Sequence, residues 1–340
     1  MTISGTSTTT APSTTGRRYS WLIAVAVTLV VAAYCWTRLG RGWVPHDEGT
    51  IAQSAERVLQ HQVPHHDFID VYTGGLSYLN AMALQAFGYD LRAPRVALFL
   101  LLLAWLPAIV RAVQIYAAAN LPSVSQVGFL AITPRTFRDF LGQQDPFVFF
   151  LTVYAGSGLI ADDLRAKALQ LYLSRPVTTF QYIAGKAAIL MTVLASVTWL
   201  PAMLLLFLVP VFAGNMTFLT SNLFLLPAIS AYAVVHITLV ALLMLALSSS
   251  SHSRWFVAIM YAGVTLFSHA VFGVIGAATE GSMFSPVSIF ANLDQVGDAL
   301  FRLPPRYDTP VGVSAAVIAA IMGASVFVLR RRVRAVEVVT

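Results

Sequence analysis

Charged residues and cysteine are both scarce in this 340-residue chain. Only 11% of the residues are charged and 57% are hydrophobic, whereas a typical soluble domain has about 25% charged residues. A water-soluble protein of this length could not keep so much apolar surface away from solvent. The single cysteine, Cys35, excludes an intrachain disulfide. The composition therefore predicts a membrane protein and argues against a disulfide-stapled secreted fold.

Signatures of nucleotide and nucleic-acid binding are missing as well. No G-x-x-x-x-G-K-[ST] sequence occurs, because 184–187 reads AGKA and lacks both the upstream glycine and the hydroxyl. Any ATP hydrolysis must therefore come from another chain. The net charge of +6 is typical of basic loop ends on the cytoplasmic side of a membrane. We expect no nucleic-acid partner and no cofactor bound by this chain itself.

Long runs without charge place the membrane spans, because a charge at the bilayer centre costs about 2.5–3.5 kcal/mol. The runs are continuous rather than alternating, which predicts helices and not barrel strands. The Ser/Thr-rich residues 1–18 are expected to be disordered. The predicted fold class is an all-α integral membrane protein with six to seven transmembrane helices. The candidate spans are Tyr19–Thr37, Val96–Ala119, Pro146–Ala161, Tyr182–Phe212, Leu223–Leu247, Trp255–Thr279 and Val311–Leu329.

Basic residues predict an orientation in the membrane, but the prediction from the C-terminal end and the prediction from the N-terminal end are not compatible. The arginines of 330–334 predict a cytoplasmic C-terminus in a multi-pass cell-membrane protein, and counting back puts 162–186 on the same side. Seven full crossings would leave the N-terminus outside, whereas Arg17 and Arg18 indicate that it lies inside. Either one segment does not cross, and Pro146–Ala161 is the weakest by length, or the two halves carry incompatible signals.

An acidic pair, Asp47 and Glu48, follows the first span and precedes an amphipathic stretch and the sequence Pro64–Phe68. This spacing resembles the first extracytoplasmic loop of polyprenyl-phosphate-sugar glycosyltransferases of the C fold class, which include protein mannosyltransferases and lipid A aminoarabinose transferases. The resemblance covers about 19–98. It implies that Asp47 and Glu48 are catalytic, with Asp47 activating the acceptor or lying near the sugar phosphate. A loop without activity is the alternative, since later elements of that family are missing.

Histidines and acids are concentrated in the same segment, where imidazole and carboxylate groups could bind Zn²⁺. No fixed-spacing signature such as HExxH is present, so loop histidines at the membrane interface are the commoner explanation and we expect no metal. The residues concerned are His61, His65, His66, Asp67 and Asp70.

A second constellation, 147–187, has Gly156 and Gly158 at the end of a span, then an acidic pair, a short amphipathic helix and the sequence YLSRP. These elements resemble the permease subunits of ABC-2-type exporters, over about 100–340. The resemblance implies a dimer of transmembrane subunits in the lipid bilayer. It also implies a separate ABC ATPase subunit that binds ATP and Mg²⁺.

A short cytoplasmic helix between two spans is what an exporter needs to receive force from an ATPase, because a rigid helix can dock in a groove and move both spans. Pro176 would end that helix. The residues assigned to coupling are Asp162, Asp163, Leu164, Arg165, Leu169, Leu173, Ser174, Arg175 and Pro176.

The two resemblances meet near 95–105 and imply opposite directions for the span there. The chain is therefore interpreted as a composite of a disordered start (1–18), a glycosyltransferase-like first span and loop (19–98) and a permease domain (99–340). Three functions stay open. They are a permease without catalytic activity of its own, a membrane glycosyltransferase that uses a polyprenyl-phosphate donor, and a membrane scaffold that transports nothing.

Overall fold

The computed structural model describes residues 30–42, 44–72, 74–87, 90–121, 131–165, 178–279 and 281–337. Apart from an isolated bridge between Pro64 and Phe68, the regular structure in these ranges is helical, which confirms the all-α fold class. The α-helices are α1 (30–38), α2 (Pro45–Leu59), α3 (Gly74–Phe87), α4 (Arg92–Asn120), α5 (Pro134–Gln143), α6 (Asp145–Leu151), α7 (Gly158–Arg165), α8 (Thr179–Val197), α9 (Trp199–Ala213), α10 (Thr217–Ser221), α11 (Leu225–Ser248), α12 (Arg254–Ala262), α13 (Ser268–Thr279), α14 (Ile289–Leu300) and α15 (Val311–Glu337).

Six helical stretches within the described ranges are long and apolar enough to cross a membrane. They match the last six predicted spans and confirm a multi-pass membrane architecture. The first predicted span, Tyr19–Thr37, lies mostly outside the described residues. The six stretches are Pro94–Asn120, Pro134–Arg165, Thr179–Ala213, Leu225–Ser248, Arg254–Thr279 and Val311–Val333.

The span predicted as Pro146–Ala161 is much longer than expected. It begins at Pro134 and has 32 residues, so length gives no reason to exclude it as a crossing. The charge-free criterion placed its start too late because Arg138 and Asp145 both lie inside the helical stretch.

Helix α11 is at the centre of the bundle. Of its most apolar stretch, 67% is buried, against 22% for Pro94–Asn120 and 11% for Arg254–Thr279. The outer helices present large apolar side chains such as Ile259 and Phe267 to their surroundings. Such a distribution is expected when the outer helices face lipid and only the central helix is enclosed by protein.

Successive spans run in opposite directions, so their ends form two sides. On one side, Tyr116 near the end of α4 packs against Phe212 near the end of α9, with ring centroids 5.5 Å apart. We call this the Gly214 side, after the left-handed Gly214 that ends α9. On the opposite side, which we call the Asp163 side, Leu329 and other residues near the end of the last span pack against Tyr182 at the start of α8.

The polar segment before Pro94 folds as a helical pair, α2 and α3, with Ala55, Ala81 and Leu84 at its core. Because it precedes the first of the six described spans, the pair lies on the Asp163 side. In agreement with this position, α3 contacts the turn Thr152–Gly156, in the half of its span that leads to Arg165.

Candidate functional site

The predicted coupling region centres on Asp163, at the end of α7. The Nζ of Lys186 lies 2.7 Å from Asp163 Oδ2, and the Tyr182 hydroxyl donates a 2.7 Å hydrogen bond to the same oxygen. The side chains of Asp163 and Lys186 are only 13% and 17% exposed. These three residues, which we call the Asp163 clamp, join the end of one span to the beginning of the next.

Other residues assigned to coupling are placed differently. Asp162 pairs with Arg165 at 3.1 Å, but the Arg165 side chain is 65% exposed, so the pair adds little stability. Leu164 packs against the apolar cluster around Ile160 and Leu245, and therefore against its own chain. The predicted amphipathic helix, Leu164–Leu173, begins within α7, and the rest of it lies outside the described residues, as do Leu169, Leu173, Ser174, Arg175 and Pro176.

The position of α7 is fixed by Ser248 at the end of the central helix. A π-helical turn, Thr152–Gly156, interrupts the helix just before α7, and such a turn disturbs the regular hydrogen-bond ladder. The buried Ser248 hydroxyl donates to the Ser157 carbonyl at 2.8 Å and accepts from the amides of Ile160 at 3.1 Å and Ala161 at 3.0 Å. Ser248 thus satisfies backbone groups around the interruption and ties α7 to α11.

Gly156 allows α11 to approach at the same point. A Cβ atom added there would lie 2.5 Å from Cγ of Met244 and 3.1 Å from a methyl group of Leu190. A glycine is therefore needed where α8 and α11 both meet the π-helical turn. The sequence singled out this glycine, and the close packing gives the reason for it.

A capping box fixes where α8 begins. The Thr178 hydroxyl accepts from the Gln181 amide at 3.2 Å, and the Gln181 side chain accepts from the Thr178 amide at 2.9 Å. Reciprocal bonds of this kind satisfy amides that have no partner within the helix. They set the register of α8, which places Tyr182 and Lys186 opposite Asp163.

The acidic pair of the glycosyltransferase interpretation lies in the first turn of α2. Asp47 is exposed. Glu48 forms an ion pair with Arg95 of α4, and the same guanidinium donates to the carbonyls of Leu39 at 2.8 Å and Arg41 at 2.7 Å. The ion pair of Glu48 with Arg95 therefore links α2 to α4.

The histidine-rich segment lies in the loop between α2 and α3. In the described part of the chain, no three His, Cys, Asp or Glu side chains are grouped so that they could hold an ion. His66 Nδ1 instead lies 2.6 Å from Asp67 Oδ1, and His65 Nε2 lies 3.1 Å from the Tyr72 carbonyl oxygen. These contacts are local to the loop between α2 and α3.

Asp70 is the buried acid of that loop and connects its two helices. Its carboxylate accepts from Ser54 of α2 at 3.2 Å and from the hydroxyl of Ser77 in α3. Burial alone would raise the pKa of Asp70, but hydrogen bonds from Ser77, the Tyr72 amide and Ser54 outweigh burial and hold the pKa below its ordinary value. The residue has a structural role in the α2–α3 pair.

An ionic network on the Gly214 side was not anticipated from the sequence. Arg138 is 1% exposed, and its Nη2 lies 2.6 Å from Asp294 Oδ1 while its Nε lies 3.2 Å from Asp298 Oδ1. Arg306 contacts the same two acids at 3.1 Å and 3.0 Å. The four-residue spacing of Asp294 and Asp298 puts both carboxylates on one face of α14, and this spacing could have been recognised in the sequence. Nothing in the sequence near Arg138 or Arg306 indicates that these arginines pair with the two acids.

Packing holds this network tightly in place. The Arg138 guanidinium lies 4.6 Å from the centre of the Tyr232 ring, and a Cβ added at Gly297 would lie 2.5 Å from Arg138 Nε. Burial would lower the pKa of Arg306, but Asp294 and Asp298 raise it above its ordinary value. Arg306 therefore stays charged, and two cations balance two anions.

Comparisons with known proteins assign no family. No family model matches the chain, and no curated protein matches it. Function is therefore inferred from the residues of this chain and their contacts.

Proposed function

We propose that this chain is the transmembrane permease subunit of an ATP-driven exporter of the ABC-2 type, energised by a separate ABC ATPase. The observation that carries the proposal is the Asp163 clamp, in which Lys186 and Tyr182 both bind Asp163. The clamp joins Asp163 in α7 to Tyr182 and Lys186 in α8, and the sequence predicts the coupling helix, Leu164–Leu173, between them. A force applied to that segment would act on two spans together.

The same contacts supply a route from the clamp to the centre of the bundle. Helix α7 is tied to α11 through Ser248, and the π-helical turn lies against Met244 through Gly156. A movement of α7 would therefore reach the most buried helix directly. This arrangement suits a permease, in which a partner on one side of the membrane must move helices that cross it.

Charge supports an orientation in which the Asp163 side faces the cytoplasm. Arg165, Lys186, Arg254 and the arginines 330–332 all lie on that side, as the positive-inside rule expects. The C-terminus and the α2–α3 pair would then be cytoplasmic. The glycosyltransferase resemblance implies the opposite side for α2, and its Glu48 is already engaged by Arg95, so the permease is the better supported function.

Co-purification tests this proposal. The tagged full chain is expressed in its native host, extracted in mild detergent, and examined for a co-purifying chain that carries a P-loop. We expect such an ATPase with the wild type and with Leu169→Met, and its loss with Leu169→Asp, because a charge would disrupt an apolar anchor in the interface. Retention of the ATPase in both Leu169→Asp and a deletion of 166–171 would refute the coupling assignment, and absence of any ATPase from the wild type would favour the scaffold.

A further inference from the structure

A second group of polar side chains lies deeper in the bundle than the ionic network. Asp145 is eleven residues from Pro134, and His236 is eleven residues from Leu225, both counted from the Gly214 side. At about 1.5 Å per residue each lies roughly 17 Å along its helix. His236 is thus close to the middle of the 24-residue stretch Leu225–Ser248, long enough to cross a hydrocarbon core about 30 Å thick, and Asp145, 3.8 Å from it, lies at the same depth.

One oxygen of the Asp145 carboxyl is buried and lacks a hydrogen-bond partner among the described residues. No described residue is placed to hydrogen-bond Oδ1, and His236 Nε2 lies 3.8 Å away, which is too long for a hydrogen bond. The Asp145 side chain is nevertheless 24% exposed, whereas that of His236 is 3% exposed. One carboxylate oxygen is therefore enclosed while the rest of the group stays accessible.

Nearby charges would compensate an ionised Asp145 only in part. Arg138 and Arg306 are already balanced by Asp294 and Asp298, so an ionised Asp145 would add a surplus negative charge. A charged carboxylate with an unpaired, buried oxygen is strongly disfavoured inside a membrane. The charged and titratable groups that face Asp145 from the helices and the loop around it are Arg138, Tyr232, His236, Tyr261, Asp294 and Arg306.

Other polar atoms that are unpartnered in the described part of the chain belong to Gln144, the neighbour of Asp145 in the chain, and to Tyr232, whose ring centroid lies 5.7 Å from that of His236. The Gln144 side chain is fully buried, and both its amide nitrogen and its amide oxygen lack a hydrogen-bond partner among the described residues. The Tyr232 hydroxyl, on the helix that carries His236, is likewise buried without one. Buried polar groups without a partner are rare in proteins, and a bound water or ion is one of the explanations for them.

We propose that Asp145 and His236 form an intramembrane proton-binding site whose ligand is a single proton, carried by the Asp145 carboxyl at neutral pH. The proton cancels the surplus negative charge and turns the carboxyl into a hydrogen-bond donor. The proton resides on Asp145 rather than on His236 because the His236 ring is enclosed by protein, with 3% of its side chain exposed, and a cation there would also be repelled by Arg138. Loss of the proton would leave a carboxylate that competes with Asp294 for Arg138.

Infrared spectroscopy of the purified full chain in lipid nanodiscs tests this inference without a transport assay. A protonated buried carboxylic acid gives its own carbonyl stretching band. We expect such a band at pH 7, its loss at alkaline pH, its absence from Asp145→Asn and its retention in the matched control Asp162→Asn. In His236→Gln we expect the midpoint of the titration to shift by about one pH unit or more, which corresponds to a tenfold change in proton affinity.

Three outcomes would overturn the inference. These are no band in the wild type, an unchanged band in a folded Asp145→Asn protein, or loss of the band on adding sodium ions at constant pH, which would make the site one for a metal cation. If Asp145→Asn does not fold, the wild-type titration and the shift in His236→Gln decide the matter. None of these measurements requires an ATPase, so the inference can fail independently of the exporter proposal.

Discussion

Asp163 and Lys186 form an ion pair across the break between two spans, with Nζ 2.7 Å from Oδ2. The pair is held by elements on both sides, since Ser248 fixes α7 and the Thr178 capping box fixes α8. A salt bridge restrained in this way costs little conformational entropy when it forms. It can therefore keep the end of α7 and the start of α8 together when a force acts between them.

Removing the cation of this pair should destabilise the protein. We expect Lys186→Met to lower the free energy of unfolding by about 1.5–3 kcal/mol, because Asp163 would lose a charged hydrogen-bond partner in a largely buried position. Thermal unfolding in detergent measures the change. The matched control is Arg165→Met, which breaks the exposed pair with Asp162 and should cost less than about 1 kcal/mol. If the two variants lose the same free energy of unfolding, the Asp163 clamp stabilises the protein no more than the exposed pair does.

Replacing Ser248 should loosen α7. In Ser248→Ala the amides of Ile160 and Ala161 lose the hydroxyl that accepts from both, and unsatisfied buried donors cost about 1–3 kcal/mol each. Faster hydrogen exchange at 157–161 and a lower unfolding temperature are expected. Ser250→Ala is the control, because the hydroxyl of Ser250, just after the end of α11, donates to the Ala246 carbonyl within the same segment and not to α7. Unchanged exchange in Ser248→Ala would mean that water replaces the hydroxyl.

A methyl group at Gly297 should break the ionic network of the Gly214 side. The new carbon would lie 2.5 Å from Arg138 Nε and 2.8 Å from Tyr232 Cε2, so one of those side chains must move. We expect Gly297→Ala to destabilise the protein by about 1–3 kcal/mol through overpacking. Gly273→Ala, where nothing lies within 4 Å of the new carbon, should be neutral or slightly stabilising in its helix. Similar unfolding temperatures for both variants would argue against tight packing around Arg138.

Acid should weaken the α2–α3 pair through Asp70. Because hydrogen bonds hold the folded-state pKa of Asp70 below its unfolded value, its stabilising contribution is present above the unfolded pKa. That contribution is lost as the pH falls below about 4 and through the folded pKa. Hydrogen exchange at α3, corrected for the intrinsic effect of pH, should rise in that window. In Asp70→Asn the rise in hydrogen exchange at acidic pH should disappear, whereas in Asp67→Asn it should persist. If the rise persists in Asp70→Asn, another group causes it.

Runs with few or no charges were sufficient to predict six of the spans, since every helix that crosses a lipid bilayer must be long and apolar. They failed at the start of the span Pro134–Arg165, because Arg138 is neutralised by Asp294, which lies 156 positions later in the chain. No local pattern can pair residues so far apart. Glu48 shows the same limit, since Asp47-Glu48 resembles a catalytic motif until Arg95 is found beside it.

ATP hydrolysis by the co-purified complex tests the permease proposal most directly. The rate is measured in lipid nanodiscs for the wild type, for Lys186→Met and for the charge swap Asp163→Lys with Lys186→Asp. We predict an ATPase chain whose hydrolysis is stimulated by the wild-type permease, reduced several-fold by Lys186→Met and partly restored by the swap, because the swap re-forms the ion pair. A wild-type chain that binds no ABC ATPase and stimulates no hydrolysis would contradict the proposal.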